Sequence, residues 1–144
     1  MTKPTDEEFL AYNQGIIREI RENGGVVAQL PFPIMLLTTT GARTGRRTTT
    51  PVGFGVDGAR VYVVGSKGGG PSHPSWFYNL RANPSVTVEL AGESYQARAV
   101  ITEGADRDRL YGLIAAQVPA FGEYEMATDR TFPVVVLEGV PAPA

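Results

Sequence analysis

The stretch T-T-T-P-V-G-F-G-V-D-G-A-R-V-Y-V-V-G, Thr48–Gly65, decides the fold class. Thr48 to Val56 has strand character, and Pro51, with no backbone N–H to give a ladder, predicts an edge position or a bulge there. Asp57-Gly58 is a strong hairpin signal, because a tight two-residue turn needs a left-handed backbone that glycine adopts without strain. Ala59 to Gly65 then returns as a second strand. Within this stretch Gly53-Phe-Gly-Val-Asp-Gly58 matches the G-x-G-x-x-G dinucleotide pattern. That pattern works only where a strand leads in and a helix opens inside it. Here it runs through a strand into a hairpin, so a doubly wound nucleotide-binding sheet is rejected.

Ahead of this stretch, Ile34 to Thr40 is apolar and β-branched, hence a strand. It is joined to Thr48 by Gly41-Ala-Arg-Thr-Gly-Arg-Arg, a loop holding three basic residues. On the other side lies S-K-G-G-G-P-S-H-P-S-W-F-Y-N-L-R-A-N-P, Ser66–Pro84. Its glycines let a ligand or a neighbouring strand approach the backbone closely, and Lys67 adds a compact positive charge. Ser75 to Leu80 reads as a short helix, with Ser75 or Ser72 as N-cap. Trp76, Phe77 and Tyr78 cannot all face the core of so short a helix, so at least one lines a surface or cleft. A tight connection packed by a core tryptophan is the alternative reading of the whole stretch.

Val86 to Leu90 and Tyr95 to Thr102 form a second hairpin around Ala91-Gly92-Glu93. Ala105 to Val118 is a helix with Leu110, Leu113, Ile114 and Val118 on its apolar face, followed by a polar loop from Pro119 to Thr131 and a last strand, Phe132 to Leu137. At the start, Thr5 to Asn23 is an amphipathic helix: Thr5 and Glu8 form a capping box, Gly24-Gly25 ends it, and Phe9, Tyr12, Ile16 and Ile20 make one stripe. That stripe reads as packing on the domain; a lid over a cleft, a partner contact or a membrane contact are the alternatives. Six strands, mostly joined by hairpins, with three short helices predict a mainly β chain of the α+β class built on an antiparallel barrel. One domain over residues 1–144 is expected, with 5–23 as its N-terminal helix.

The chain has 144 residues, 42% of them hydrophobic, enough to bury about two-thirds of its unfolded surface. With no cysteine, thiolate metal sites, disulfides and cysteine nucleophiles are excluded, and a reducing compartment fits. The opening residues lack the apolar run of a signal peptide and no segment reaches membrane-span length, so a cytoplasmic location is expected. The net charge is -2, yet Gly24 to Val88 carries Arg43, Arg46, Arg47, Arg60, Lys67 and Arg81 against Asp57 alone. Six minus one gives +5 in the centre and leaves -7 elsewhere. Such asymmetry points to an anionic ligand, while so few basic residues do not favour nucleic acid.

One histidine, His73 in a Pro/Ser loop, and no cysteine argue against a metal site or a nucleophilic triad. Paired-carboxylate hydrolysis has no support, because the acidic residues cluster in expected surface helices. What remains is redox chemistry carried by a borrowed cofactor, which the protein binds, orients and tunes.

Three motifs then stand together: Leu37-Thr-Thr-Thr-Gly-Ala-Arg-Thr-Gly45; Ser66-Lys-Gly-Gly with Pro74-Ser-Trp-Phe-Tyr-Asn-Leu-Arg-Ala-Asn-Pro84; and Thr128-Asp-Arg-Thr-Phe-Pro133. In this order and spacing, from about Leu36 to Leu137, the chain resembles the deazaflavin-dependent nitroreductase family. The resemblance implies a split β-barrel of the flavin-mononucleotide-binding type and a dissociable cofactor, coenzyme F-420, an 8-hydroxy-5-deazaflavin with a phosphate and an oligoglutamate tail. It implies hydride transfer from the reduced cofactor to a small electron-poor acceptor: a quinone, enone, lactone or nitro compound. Carried over by position, Arg43, Thr44, Gly45, Arg46 and Arg47 form the basic loop for the anionic part. Thr49, Thr50 and Pro51 line the cofactor with backbone, as do Gly65, Ser66, Lys67 and Gly68; Trp76 and Asn79 complete that set. Val118, Phe121 and Tyr124 fall in the substrate pocket, and only Tyr124 among them keeps a hydroxyl, which makes it the candidate proton donor. A flavin-mononucleotide- or haem-binding barrel and a non-catalytic deazaflavin carrier are the competing functions.

Overall fold

A computed structural model describes residues 6–22, 34–65, 73–118 and 131–142, residues 6–13 by backbone alone. Among these residues six strands and three helices follow in the order α1 (Asp6–Glu22), β1 (Ile34–Thr40), β2 (Arg47–Asp57), β3 (Arg60–Val64), α2 (Ser75–Ala82), β4 (Ser85–Leu90), β5 (Glu93–Ile101), α3 (Gly104–Gln117) and β6 (Val134–Glu138). The strands close into an antiparallel barrel in the order β1-β2-β3-β6-β5-β4, with β4 pairing back onto β1. The architecture is that of the split barrel, as expected.

Turn chemistry sets the two tight hairpins. Gly58 has φ +60 between Asp57 and Arg60, which pair across the turn. Ala91 and Gly92 have φ 53 and 82, the two left-handed residues of a two-residue loop closed by the Leu90–Glu93 pair. Glu93 therefore begins β5 instead of belonging to the turn.

Strand alternation divides the core. Met35 and Leu37, Val61 and Val63, Val86 and Val88, and Val135 and Leu137 face the barrel interior, where Trp76, Phe77 and Leu80 of α2 join them. Outside the barrel, Ile34 and Leu36 are covered by Ile16 and Ile20 of α1, so this half of the amphipathic stripe packs on the domain, while the Phe9 and Tyr12 side chains lie outside the described ones. Arg21 pins that helix through a two-pronged contact with Glu89 (3.1 and 2.9 Å). Tyr62, Val64, Val134 and Val136 point outward beneath Leu110, Tyr111 and Ile114 of α3. The expected α3 face needs one correction: Leu113 is 37% exposed and Tyr111 is buried in its place. Arg107 explains the exchange, since its guanidinium lies over the Tyr111 ring (4.7 Å) and holds it against the barrel. Phe132 is also buried, just ahead of the last strand.

β2 is the strand that positions the site. Its first half, Arg47–Gly53, pairs with β1, whereas β3 meets only its second half, Phe54–Asp57. Pro51 thus lies where β2 has one described strand neighbour, the edge position its missing N–H demands. The Gly41 N–H donates to the Arg46 carbonyl (2.7 Å), which puts the even-numbered backbone groups of β2 on the β1 side. By alternation the N–H and C=O of Thr49 and the C=O of Pro51 face the other way, past the end of β3. Because β1 and β3 are both antiparallel to β2, the chain leaves both of them at the same end of the barrel.

Among the described residues no helix is long and apolar enough to cross a membrane.

Candidate functional site

The loop after β1 is built on a narrow neck. Besides the Gly41–Arg46 contact, the Gly45 N–H donates to the Gly41 carbonyl (3.0 Å), and Gly45 takes φ +71 to make the return. The Thr44 hydroxyl accepts from the Arg46 N–H (3.2 Å). These bonds use the backbone and leave the Arg43 and Arg46 side chains exposed, with no ion pair to another described residue.

α2 forms the opposite wall. Pro74, with an extended backbone, occupies its N-cap position without a side-chain cap bond, so Ser75 is the first helical residue and not the cap. The Pro74 carbonyl accepts from the Phe77 N–H (3.0 Å). Trp76, Phe77 and Leu80 turn into the barrel while Tyr78 is 37% exposed, which meets the expectation that the aromatic run cannot all be buried. Arg81 lies one turn beyond and stacks over Tyr78 (5.1 Å) and Phe77 (5.5 Å).

Between the two walls runs an open groove of about 730 Å³ lined by Gly41 to Thr44, Thr48, Ser75, Tyr78, Asn79, Arg81 and Ala82. Arg43 and Arg81 give it positive charge, and Asn79 ties its walls together. The Asn79 Oδ1 accepts from the Ala42 N–H (3.0 Å), and its Nδ2 donates to Thr39 Oγ1 (3.1 Å).

The expected site residues are therefore sorted by the fold. Arg43, Thr44 and Asn79 converge on the groove. Arg47 does not line it: its Nη2 donates to Thr87 Oγ1 on β4 (2.6 Å). Thr49, Thr50 and Pro51 lie on the half of β2 that β3 does not reach, with the Thr49 hydroxyl bonded to that of Thr38 (2.7 Å). Gly65 sits at the end of β3, its N–H given to the Pro133 carbonyl (2.9 Å). Trp76 is buried in the barrel interior. Val118 caps α3 and packs half-buried on the cluster that contains Val64. Ser66, Lys67, Gly68, Phe121 and Tyr124 lie outside the described residues, as do Thr5 and Thr128–Arg130.

Two charges depart from the simple picture of a basic centre. Arg60, counted in the basic central segment of the sequence, is held at the other end of β2 by Asp106 (3.0 and 2.9 Å) and Asp57 (3.0 Å). Arg109 adds a 2.6 Å bond to Asp57. The Arg109 and Arg60 hydrogen bonds hold the Asp57 carboxyl down at about 2. Arg81, conversely, belongs to the groove and was not assigned to it from sequence. Its spacing from Phe77 and Tyr78, four and three residues along one helix, is the signal that places it over their rings.

Comparison with known proteins shows what the chain is similar to. A family model described as F-420-H(2)-dependent quinone reductase matches residues 14–139. A quinone reductase of that description from Mycobacterium tuberculosis is 35% identical over 120 residues, covering 80% of each chain. Among solved structures, an F-420-H2-dependent reductase superposes with a TM-score of 0.67 at 37% identity, over 78% of this chain and all of that one. The haem storage protein HutZ from Vibrio cholerae shares the fold at 14% identity, with a TM-score of 0.58 over 90% of this chain and 91% of its own.

Proposed function

The chain belongs to the F-420-H(2)-dependent quinone reductase family, and from that premise we propose that it binds the cofactor across the groove and the free edge of β2 and passes a hydride to a quinone there. It is an oxidoreductase that uses coenzyme F-420. The observation that carries the reading of the site is the groove itself: Arg43 and Arg81 face it, and no described carboxylate pairs with either.

The residues present fit the group. Guanidinium forks match phosphate and carboxylate oxygens, so Arg43 and Arg81, with Thr44 and Arg46 beside them, would hold the anionic part of the cofactor. The outward backbone groups of Thr49 and Pro51 are donors and acceptors that no described strand uses, and they would align the ring system. Gly65, Ser66, Lys67 and Gly68 would close that side with backbone and one further charge. Trp76 keeps α2 seated in the barrel and so fixes the groove wall. When bound, reduced F-420 supplies the hydride. A quinone that takes up a hydride develops negative charge on oxygen, and a nearby acid stabilises it and gives the proton that completes the hydroquinone. We assign that role to the Tyr124 hydroxyl, with Val118 and Phe121 as apolar walls of the acceptor site. Enones, lactones and nitro compounds, the wider range implied by the sequence resemblance, share the electron-poor character that this chemistry requires.

Titrating the protein with F-420, flavin mononucleotide and NADPH tests the reading. F-420 should bind in preference to the other two, and its affinity should fall with salt. Arg43→Ala and Arg81→Ala should each weaken binding roughly ten-fold, the worth of one charge-assisted contact. Unchanged affinity after removing Arg43, Arg46 and Arg81 together overturns the groove assignment. With saturating reduced cofactor and a quinone, Tyr124→Phe should lower turnover roughly ten-fold or more while cofactor affinity holds; a pH–rate profile identical to the parent's would leave solvent as the donor.

A further inference from the structure

Aromatic residues apart, Thr39 is the one fully buried polar side chain among the described residues, 1% exposed. A buried hydroxyl is costly unless hydrogen-bonded, and here it accepts from Asn79 Nδ2 (3.1 Å). That bond leaves the amide a single sensible orientation, because its other end must accept from the Ala42 N–H (3.0 Å). Ala42 immediately precedes Arg43 in an otherwise exposed loop. A rigid strand residue thus grips a helix residue, and the helix residue grips the loop.

We infer that Thr39 and Asn79 act as a positioning pair, holding the basic loop so that Arg43 faces the groove, and that the Asn79 amide serves the loop backbone rather than contacting the cofactor. The inference rests on the proposed use of that groove for the anionic part of F-420. Thr39 is too deeply buried to touch any ligand, so an effect of Thr39 on binding has to travel through Asn79 and Ala42. Pre-ordering the loop removes an entropic cost that the cofactor would otherwise meet on binding.

The test compares Thr39→Val, Thr39→Ser, Asn79→Ala and the Thr39→Val/Asn79→Ala double variant, with Arg43→Ala as reference. Two readouts are taken: amide hydrogen exchange at Ala42 in the cofactor-free protein, and the Kd for F-420. Thr39→Val and Asn79→Ala should both speed exchange at Ala42 and raise Kd about three- to ten-fold. The double variant should lose no more than Asn79→Ala alone, since the two act in series. Thr39→Ser, which keeps the hydroxyl, should restore both readouts. Parent-like exchange and Kd in Thr39→Val, while Arg43→Ala binds weakly, overturns the positioning pair and leaves the groove standing. Parent-like Kd in Arg43→Ala overturns the groove and the pair's role in binding with it. Should Thr39→Val not fold, Asn79→Ala decides alone: unchanged exchange at Ala42 rejects the inference.

Discussion

Gly65 sits where a methyl group does not fit. A Cβ there would lie 2.8 Å from Pro133 Cγ, with Pro133 Cδ at 3.3 Å and Pro74 Cδ at 3.4 Å. Two stiff proline rings cannot give way as a flexible side chain would, so Gly65→Ala should destabilise the protein by about 1–3 kcal/mol, the usual cost of overpacking. The urea midpoint measures it, and a midpoint equal to the parent's would show that the rings yield. Gly58 contrasts with it: nothing crowds its Cβ position, and φ +60 alone makes the demand. The sequence exposed these two glycines unequally. Asp57-Gly58 is readable because turn geometry is local, whereas the closeness of Gly65 to Pro133 depends on a chain segment far along the sequence. Thr39 was hidden for the same reason: inside Leu37-Thr-Thr-Thr it looks like its neighbours, and only the arrival of α2 makes its hydroxyl different from those of Thr38 and Thr40.

At the scale of elements, α3 is held to the barrel by an apolar stripe and by charges at its N-terminal end. Arg60 and Arg109 both reach Asp57 and Asp106, linking the β2–β3 hairpin to the first turns of the helix. The Asp57 carboxyl sits at about 2, below its ordinary value near 3.9, so the folded state favours the ionised form. Its contribution to stability is fully present above the unfolded value and is lost as the pH falls from about 4 towards 2. Acid unfolding followed by circular dichroism should therefore be shallower across this window in Asp57→Asn, which is already without the charge. An unchanged acid limb would assign the network no part in docking α3. Raised salt should shrink the difference, because these groups are exposed to solvent. The order and type of the described elements were readable from periodicity and turn residues, whereas their ends shifted, as where β5 begins at Glu93 and β6 at Val134. The face of α3 was misread at Leu113, because helical spacing alone does not reveal that Arg107 seats Tyr111 inward.

Across the whole molecule, a chain with net charge -2 keeps its charges apart, and the proposed anion site depends on that separation. The eleven residues of β2 extend on the order of 30 Å, with the Arg43 loop at one end and the Asp57–Arg60–Asp106–Arg109 network at the other. At physiological salt the screening length is roughly 8 Å, so the two ends barely sense each other. The basic centre was legible as a sum over the sequence, but the sum included Arg60, whose charge is spent at the far end on two carboxylates. Strand order decides which arginines belong together, and closure of β4 onto β1 is a non-local pairing that no local pattern encodes. Paired charge reversals separate local from global electrostatics. Arg81→Glu and Arg109→Glu change the net charge equally, each by two units. If the site works through its own groove, Arg81→Glu should weaken F-420 binding a hundred-fold or so, two charge-assisted steps' worth, with little loss of stability. Arg109→Glu should do the reverse: it opposes Asp57 and Asp106, lowering the unfolding midpoint, while F-420 affinity stays within about two-fold of the parent. Equal losses of affinity in both variants would mean that the overall field attracts the cofactor, and the groove would then have no special claim to it.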